Sequence, residues 1–260
     1  MRAATAPSGQ PAAEALTAAL AGFTAAAESL LQDRALLRRV DRKYLLAARH
    51  LPALLGVLTR GHHLLHAAGH PVATYRTEYF DTPDRQSYDD HRRGRRPRCK
   101  VRIRHHLERR VSFLEVKQKQ PDGRTAKWRL PRLFGNDDLD DAARRFIAEH
   151  CPLPAAALTG AASITFRRIT LLALDTEERI TVDHDVVMQC GPRRHRFEDL
   201  AIVEVKQARF SSSTDVLGAL RAVRAREQSI SKYCVAVARL APVRANSFKP
   251  GLRAIQQLSV

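Results

Sequence analysis

Cationic and apolar side chains alternate along one short segment, with the cations at Arg98, Lys100, Arg102 and Arg104. Successive side chains of a β-strand point to opposite faces, so this segment predicts a strand with one basic face and one apolar face. Like charges on one face repel each other unless salt or a polyanion lies against them. Lysine and arginine bind phosphate oxygens through charge-assisted hydrogen bonds. The chemistry that these residues indicate is the binding of a phosphate-rich anion.

The same alternation recurs in later segments, where carboxylates share the charged face with the cations. The charged or polar positions are Glu115, Lys117 and Lys119; Lys127 and Arg129; Arg168 and Thr170; Arg179, Thr181 and Asp183; and Glu204 and Lys206. Carboxylate oxygens are ligands that suit Mg²⁺ and Mn²⁺, and such a metal in turn binds phosphate oxygens. Charged faces that point into one lumen would be filled by phosphates and a divalent metal. A second interpretation places these faces on the solvated side of an open sheet, but the repetition of the pattern favours the lumen.

The net charge limits the kinds of partner. The chain has 260 residues and a formal net charge of +17. This excess predicts a polyanionic partner, which could be nucleic acid, an anionic membrane surface or a phosphorylated molecule. Carboxylates on the charged faces favour a phosphate site with metal over a surface for DNA or RNA, since a nucleic-acid surface has little use for them.

The cysteines and the hydropathy pattern bear on the cellular setting. Cys99, Cys151, Cys190 and Cys234 show no CxxC spacing, so a zinc ribbon is not expected and a disulfide framework has no support. We therefore expect a reducing, cytoplasmic environment. No apolar run approaches the ~20 residues of a transmembrane helix.

Alternation and turn residues predict an α+β fold. The predicted strands are 36–46, 72–82, 98–107, 110–120, 124–130, 163–174, 178–187 and 197–207, and the predicted helices are 12–31, 50–60, 136–150, 211–226 and 231–239. About eight alternating strands in one chain suggest a closed antiparallel barrel with helices outside it and at its ends. The expected domains are a disordered start and helix over 1–35, one barrel domain over 36–240 and a C-terminal tail over 241–260. Tyr79 and Phe80 are expected to pack in the core.

Six short motifs occur in an order that resembles a known family. They are Asp41-Arg42-Lys43-Tyr44; Tyr79-Phe80-Asp81-Thr82 with Tyr88 and His91 following; Lys100-Val101-Arg102-Ile103-Arg104; Glu115-Val116-Lys117; Glu204-Val205-Lys206; and Ser231-Lys232-Tyr233. Together they resemble the VTC domain, a polyphosphate polymerase module of the triphosphate tunnel metalloenzymes, to which the CYTH proteins also belong. The resemblance covers about Leu36 to Leu240.

The resemblance implies a tunnel that binds the triphosphate of a nucleotide together with Mn²⁺ or Mg²⁺. Members of this branch transfer the terminal phosphate of ATP to a growing polyphosphate chain, so ATP and inorganic polyphosphate are the implied partners, and DNA or RNA is not the primary ligand. The implied catalytic cations are Arg102, Arg104, Lys117, Arg168 and Lys232. The implied phosphate-binding residues are Lys43, Lys100, Lys127, Arg129, Lys206 and Ser231. Glu204 matches the metal-binding carboxylate, with Glu115 and Asp183 as further candidates.

Several positions depart from the family pattern. Asp41 stands where Glu is common, Phe166 where Tyr is frequent and Ser229 where some members carry Lys, and His105 and His106 follow the basic strand where an aromatic residue is usual. Two other functions stay open: a triphosphatase that acts on tripolyphosphate or a nucleotide, and a non-catalytic binder of polyphosphate or nucleic acid. A membrane protein that would export the product is not visible in the sequence.

Overall fold

The strands form one antiparallel sheet. The computed structural model describes residues 10–27, 30 and 40–259. The strands are β1 (Val40–Ala47), β2 (His62–Leu64), β3 (Ala73–Asp81), β4 (Arg98–His106), β5 (Val111–Lys119), β6 (Thr125–Arg132), β7 (Thr159–Ala173), β8 (Glu178–Cys190), β9 (Arg193–Phe197), β10 (Leu200–Gln207) and β11 (Arg226–Glu227). The order across the sheet is β11-β1-β10-β8-β7-β3-β4-β5-β6, with β2 paired to β7 and β9 paired to β8.

Seven α-helices accompany the sheet in the described part of the chain. They are α1 (Gln10–Ala21), α2 (Leu51–Leu58), α3 (Gln86–Arg92), α4 (Asp141–His150), α5 (Asp215–Ala222), α6 (Lys232–Leu240) and α7 (Lys249–Gln256). Short 3₁₀ turns lie at Ala48–His50, Ala155–Ala157, Asn246–Phe248 and Gln257–Ser259. The α+β class is therefore confirmed. Among the described residues, no helix is both long and apolar enough to cross a membrane.

The sheet differs from the predicted closed barrel of eight strands. It has eleven strands, and over residues 40–259 no ladder of hydrogen bonds joins β6 to the opposite edge at β11 and β1. The short strands β2, β9 and β11 contain only two to five residues each, too few for a clear alternation in the sequence. The closed barrel is therefore corrected to an open sheet.

The open sheet is nevertheless strongly curved. Six strand steps separate β1 from β5 in the sheet order, which would span about 29 Å in a flat sheet at ~4.8 Å per step. Yet Lys43 on β1 is among the charges that lower the pKa of Lys117 on β5, after the effect of burial. Charges interact this strongly only at short range. The two ends of the sheet therefore face each other across a trough, and both lysines lie on its concave side.

Apolar side chains from alternate strand positions pack under helices on the convex side. Val182 and Val203 share one cluster with Leu54 of α2 and with residues of α1 and α5. Val101 and Val116 share another with residues of α4. These valines flank the charged positions in the sequence, so the period-2 pattern directs the charged positions to the trough.

The C-terminal helices fill one end of the concave side. Tyr233 and Val237 of α6 share a cluster with Ile164 and Ile202 of the sheet, together with residues of α7. Residues 249–256 of the expected tail are thus a packed helix. Residues 1–9, 28–29 and 31–35 of the expected N-terminal unit, 1–35, and residues 36–39 of the predicted strand 36–46 lie outside the described residues. The predicted helix 12–31 is observed as Gln10–Ala21.

Candidate functional site

Strand register assembles the predicted site residues on the concave side. Arg102 pairs with Glu115, Arg168 with Asp183 and Lys43 with Glu204. Directly paired residues of neighbouring strands point to the same face. The resulting charged face comprises Lys43, Lys100, Arg102, Arg104, Glu115, Lys117, Lys127, Arg129, Arg168, Asp183, Glu204 and Lys206, and α6 adds Lys232.

Glu115 is the centre of one ion-pair cluster. Its Oε2 accepts from Arg102 Nε at 2.7 Å, and its Oε1 lies 2.5 Å from Lys127 Nζ. Arg104 is more distant, with 3.9 Å between its guanidinium and Oε2. Burial would raise the pKa of Glu115, but Arg102 and Arg104 outweigh it and hold the pKa well below its usual range. Glu115 is therefore ionised, and it holds Arg102 and Lys127 in place through direct ion pairs.

Asp183 is the centre of a second cluster. Arg168 donates to both of its oxygens, from Nε at 2.5 Å and from the second terminal nitrogen at 2.8 Å. Lys232 Nζ also binds Oδ2. Burial would raise the pKa of Asp183, but Arg168 and Lys232 outweigh it and lower the pKa strongly. This carboxylate fixes the relative positions of β7, β8 and the start of α6.

Glu204 is the least occupied of the three carboxylates. It pairs with Lys206 through Oε2, and its side chain is 21% exposed, against 5% for Glu115 and 4% for Asp183. Burial would raise its pKa, but Lys206 and Lys43 lower it well below the usual range. Glu204 is thus ionised and accessible from the trough.

The donor set fits a metal that arrives with phosphate. In the described ranges, no group of three or more His, Cys, Asp or Glu residues stands close enough to hold a metal ion. Mg²⁺ in phosphate-transfer sites is commonly held by one or two carboxylates, and substrate phosphates and water supply the other ligands. Glu204 fits that part, whereas Glu115 and Asp183 already bind two cations each. Their predicted role as further ligands is therefore less well supported by the geometry.

Burial makes the charged form of some cations on the charged face unfavourable in the ligand-free protein. Burial lowers the pKa of Arg104 to about 10, and Arg102 and Arg168 add to the shift. Burial also lowers the pKa of Lys100 to about 8 and that of Lys206 to about 8, despite Glu204. Cations that are disfavoured in the ligand-free protein are those that an incoming polyanion stabilises most.

Two predicted residues are placed differently from the expectation. The Ser231 side chain accepts a hydrogen bond from Cys234 N at the start of α6, so its hydroxyl acts as a helix cap. Arg129 shares the face, but its guanidinium lies 4.6 Å from the ring centre of Phe113 and it is exposed at the outer strand.

Lys43 lies within the trough, where its Nζ donates to Ile230 O at 3.0 Å.

Aromatic residues that the sequence patterns assign to the core also line the charged face. Tyr79 OH accepts a hydrogen bond from Arg102 at 3.0 Å. Phe166, in the position where the family often has Tyr, is stacked on Tyr75 with 5.3 Å between ring centres. Lys232 Nζ lies 4.5 Å from the Phe166 ring centre. Tyr79, two residues before Asp81, lies on the side of β3 that it shares with the cations of β4. This spacing is the sequence signal that could have indicated that Tyr79 lines the charged face.

His91 and Asp81 hold the site together from outside it. The Lys100 ammonium donates to His91 Nδ1 at 2.6 Å. Asp81 is fully buried and accepts from Ser87 N at 2.8 Å, from Tyr88 N at 3.0 Å and from the Tyr233 hydroxyl. The motif residue Asp81 thus joins α3 and α6 to the end of β3.

Comparison with known proteins finds a similar fold in a solved structure and a family match over part of the chain. The fold is similar to that of HpAC1 from Hippeastrum, which is provisionally assigned as an adenylyl cyclase and described as having a dominant triphosphatase activity. The TM-score is 0.52 at 14% identity, over 78% of this chain and 98% of that chain. A Bacillus halodurans protein, provisionally assigned as an adenylate cyclase, aligns with a TM-score of 0.48 at 15% identity, over 78% of this chain and 96% of that one. The chain therefore shares the fold of HpAC1.

A family model matches the first half of the sequence in part. Residues 38–135 match the family described as VTC domain. This segment contains the first four of the six motifs, so the resemblance to the VTC domain is confirmed over these residues. No curated protein matches the sequence.

Proposed function

We propose that this protein is a metal-dependent polyphosphate polymerase, which transfers the terminal phosphate of ATP to a growing inorganic polyphosphate chain. The supporting observation is the convergence of cations from six strands and one helix on one concave face, in a chain with a VTC domain match. Three carboxylates organise this face but do not neutralise it. A triphosphate carries the complementary charge.

The proposed mechanism consists of binding and charge neutralisation. Phosphoryl transfer needs little covalent chemistry from the protein, because catalysis comes mainly from positioning and electrostatic stabilisation. Arg102, Arg104 and Lys117 bind the triphosphate from the β4–β5 side, while Arg168 and Lys232 bind it from the opposite side. Lys43, Lys100, Lys127 and Lys206 extend the phosphate-binding surface. A divalent metal, Mn²⁺ or Mg²⁺, held by Glu204 would supply charge neutralisation on the phosphates.

The acceptor decides the reaction. When the acceptor is the end of a polyphosphate chain or inorganic phosphate, the product is a longer chain. When it is water, the same site is a triphosphatase. The fold similarity to HpAC1, with its dominant triphosphatase activity, makes hydrolysis of tripolyphosphate or a nucleotide the second candidate.

One incubation separates these functions. Purified full-length protein is incubated with ATP and either Mn²⁺ or Mg²⁺, and the products are resolved on a polyphosphate gel. A ladder of long chains supports the polymerase, whereas free phosphate without chains supports the triphosphatase. Absence of turnover, combined with tight and steeply salt-dependent binding of RNA or DNA, would replace both with a non-catalytic binder.

A further inference from the structure

Three tyrosines belong to the cluster that fills one end of the trough, and their hydroxyl groups differ in their hydrogen-bond acceptors. The Tyr88 hydroxyl donates to Arg244 O at 3.0 Å, and the Tyr233 hydroxyl donates to Asp81. Tyr79 OH instead accepts from Arg102. In the part of the chain that the structure describes, no carbonyl or carboxylate accepts the Tyr79 proton. A buried hydroxyl proton without an acceptor costs free energy, so this position favours an incoming acceptor.

The surroundings of Tyr79 determine which acceptor fits. On β4, Arg102, Arg104 and Lys100 face its hydroxyl, and Lys232 does so from α6. Two carboxylates lie behind these groups: Glu115 is bound to Arg102, and Asp81 accepts the hydroxyl proton of Tyr233.

Two further neighbours of Tyr79 are uncharged. Ala162 lies opposite on β7, and the Tyr233 ring stacks at 5.1 Å between ring centres. These cations favour an anion as the ligand that accepts the hydrogen bond from Tyr79.

We infer that Tyr79 is a further substrate-contacting residue, whose neutral hydroxyl donates a hydrogen bond to a phosphate oxygen while it accepts one from Arg102. This inference rests on the proposed phosphate-binding function. It adds a neutral hydroxyl group to a site whose other proposed phosphate contacts are lysines and arginines. It also distinguishes Tyr79 from Phe80, which packs on the convex side.

The same geometry couples phosphate binding to a proton. Burial would raise the pKa of Tyr79, but Arg102 and Arg104 outweigh it and lower the pKa to about 8. A bound polyanion adds negative charge beside the hydroxyl and raises the pKa again. Above about pH 8, binding must therefore return a proton to the phenolate, so affinity falls with rising pH.

The test is an absorbance titration of the full-length protein with tripolyphosphate. At about pH 9, a tyrosine of pKa near 8 is mostly phenolate, which absorbs in the near ultraviolet. Added tripolyphosphate should remove about one tyrosinate equivalent from the wild type. The Tyr79→Phe variant should show no such loss, while the matched Tyr88→Phe variant should retain it. At pH 7, Tyr79→Phe should bind tripolyphosphate about tenfold more weakly, the cost of one hydrogen bond to a charged group.

A spectroscopic signal specific to tyrosine is necessary, because two lysines titrate in the same pH range as Tyr79. Lys100 and Lys206 also have pKa values lowered to about 8, so a pH-dependent affinity alone would not identify Tyr79. Tripolyphosphate binding by calorimetry at pH 7 is measured in parallel. Binding without any change in tyrosinate absorbance overturns the role of Tyr79 and leaves the proposed function intact, whereas absence of binding overturns the proposed function as well. If Tyr79→Phe does not fold, the wild-type and Tyr88→Phe titrations still decide the point, since an unchanged spectrum in both contradicts the inference.

Discussion

Arg102 and Arg104 are two residues apart on one strand but have opposite electrostatic environments. Arg102 binds Glu115 and Tyr79, which outweigh its burial and raise its pKa. Arg104 is only 12% exposed and lies 3.9 Å from Glu115, and burial with its neighbouring arginines lowers its pKa. In the ligand-free protein, the neighbours of Arg102 therefore stabilise its charge. The charge of Arg104 is destabilised by its surroundings, and a bound phosphate would stabilise it.

This contrast predicts different outcomes for two equivalent substitutions. Arg102→Met and Arg104→Met should each lower turnover by roughly 10² or more, because both remove charge that stabilises the transition state. Arg102→Met should also lower the free energy of unfolding by about 1–3 kcal/mol, since it deprives the buried Glu115 of a partner. Arg104→Met should leave the free energy of unfolding unchanged or raise it. Kinetic assays and urea unfolding measure the two quantities.

The control for these substitutions is Arg194→Met, which changes an exposed arginine on β9, away from the charged face. It should have no effect on turnover. Ordinary turnover in both Arg102→Met and Arg104→Met would contradict the assignment of the charged face as the phosphate site.

Glu204 is the carboxylate for which a metal role can be tested directly. Glu204→Gln removes the charge but keeps the size of the side chain, so the metal concentration needed for half-maximal activity should rise by about tenfold or more. The measurement is a titration of activity with Mn²⁺ and with Mg²⁺. Glu227→Gln, which changes an exposed carboxylate paired with Arg42, is the matched control. A Glu204→Gln titration that matches the wild type would show that Glu204 does not hold the metal.

At the scale of elements, α6 connects the core to the charged face. Its apolar residues fill the end of the trough, while its first residue, Lys232, binds Asp183. Ser231 caps the helix by accepting from Cys234 N, and Asp81 holds it through the Tyr233 hydroxyl. The position of Lys232 therefore depends on how the helix begins.

Substitutions at Ser231 separate a cap from a phosphate contact. Ser231→Ala should lower the free energy of unfolding by about 1 kcal/mol, because it removes the cap. Ser231→Asn keeps a good capping side chain and should retain wild-type stability and turnover. Ser231→Asp should keep the stability but weaken tripolyphosphate binding, since it places a negative charge beside Lys232. Loss of affinity in Ser231→Ala with unchanged stability would instead assign the hydroxyl to phosphate.

At the scale of the whole molecule, the buried cations of the trough lower the free energy of unfolding of the ligand-free protein. The net charge is +17, and several cations are buried together in the trough. The folded protein holds the pKa of Lys100, Lys206 and Tyr79 near 8, against ordinary values of 10.5 for lysine and 10.0 for tyrosine. Between these values the unfolded chain retains protons that the folded protein has released.

Stability and phosphate affinity should consequently change in opposite directions with pH. These three groups make the unfolded state bind more protons between about pH 8 and 10, and they outnumber the buried thiols of Cys99 and Cys234, whose raised pKa acts in the opposite direction. The free energy of unfolding should therefore rise with pH in that window. Tripolyphosphate affinity should fall over the same window, as cations are lost and a phenolate forms. Urea unfolding and calorimetric binding at constant ionic strength measure both. A free energy of unfolding that falls from pH 8 to 9.5, or an affinity that does not change, would contradict this account of the trough.

Helix α3 illustrates why part of the fold escapes prediction. The segment 86–92 is polar, and its N-cap residue, Arg85, adopts a left-handed conformation and provides no side-chain cap. Asp81, from the preceding strand, accepts the first-turn hydrogen bonds instead. A cap supplied from outside the helix leaves no start signal of the usual kind in the sequence.

The sequence by itself determined which side chains share a face, because that follows from the two-residue period of a strand. It therefore sufficed to place Arg102, Arg104 and Glu204 on a charged face and the intervening valines and isoleucine on an apolar one. Which cation each carboxylate binds, as in the contact of Asp183 with both Arg168 and Lys232, was decided only by strand register and by the docking of α6. The tertiary structure also decided that the sheet curves without closing, because curvature arises from the packing of all strands and helices together. Local periodicity specifies the direction of a side chain, whereas its partner depends on residues far away in the chain.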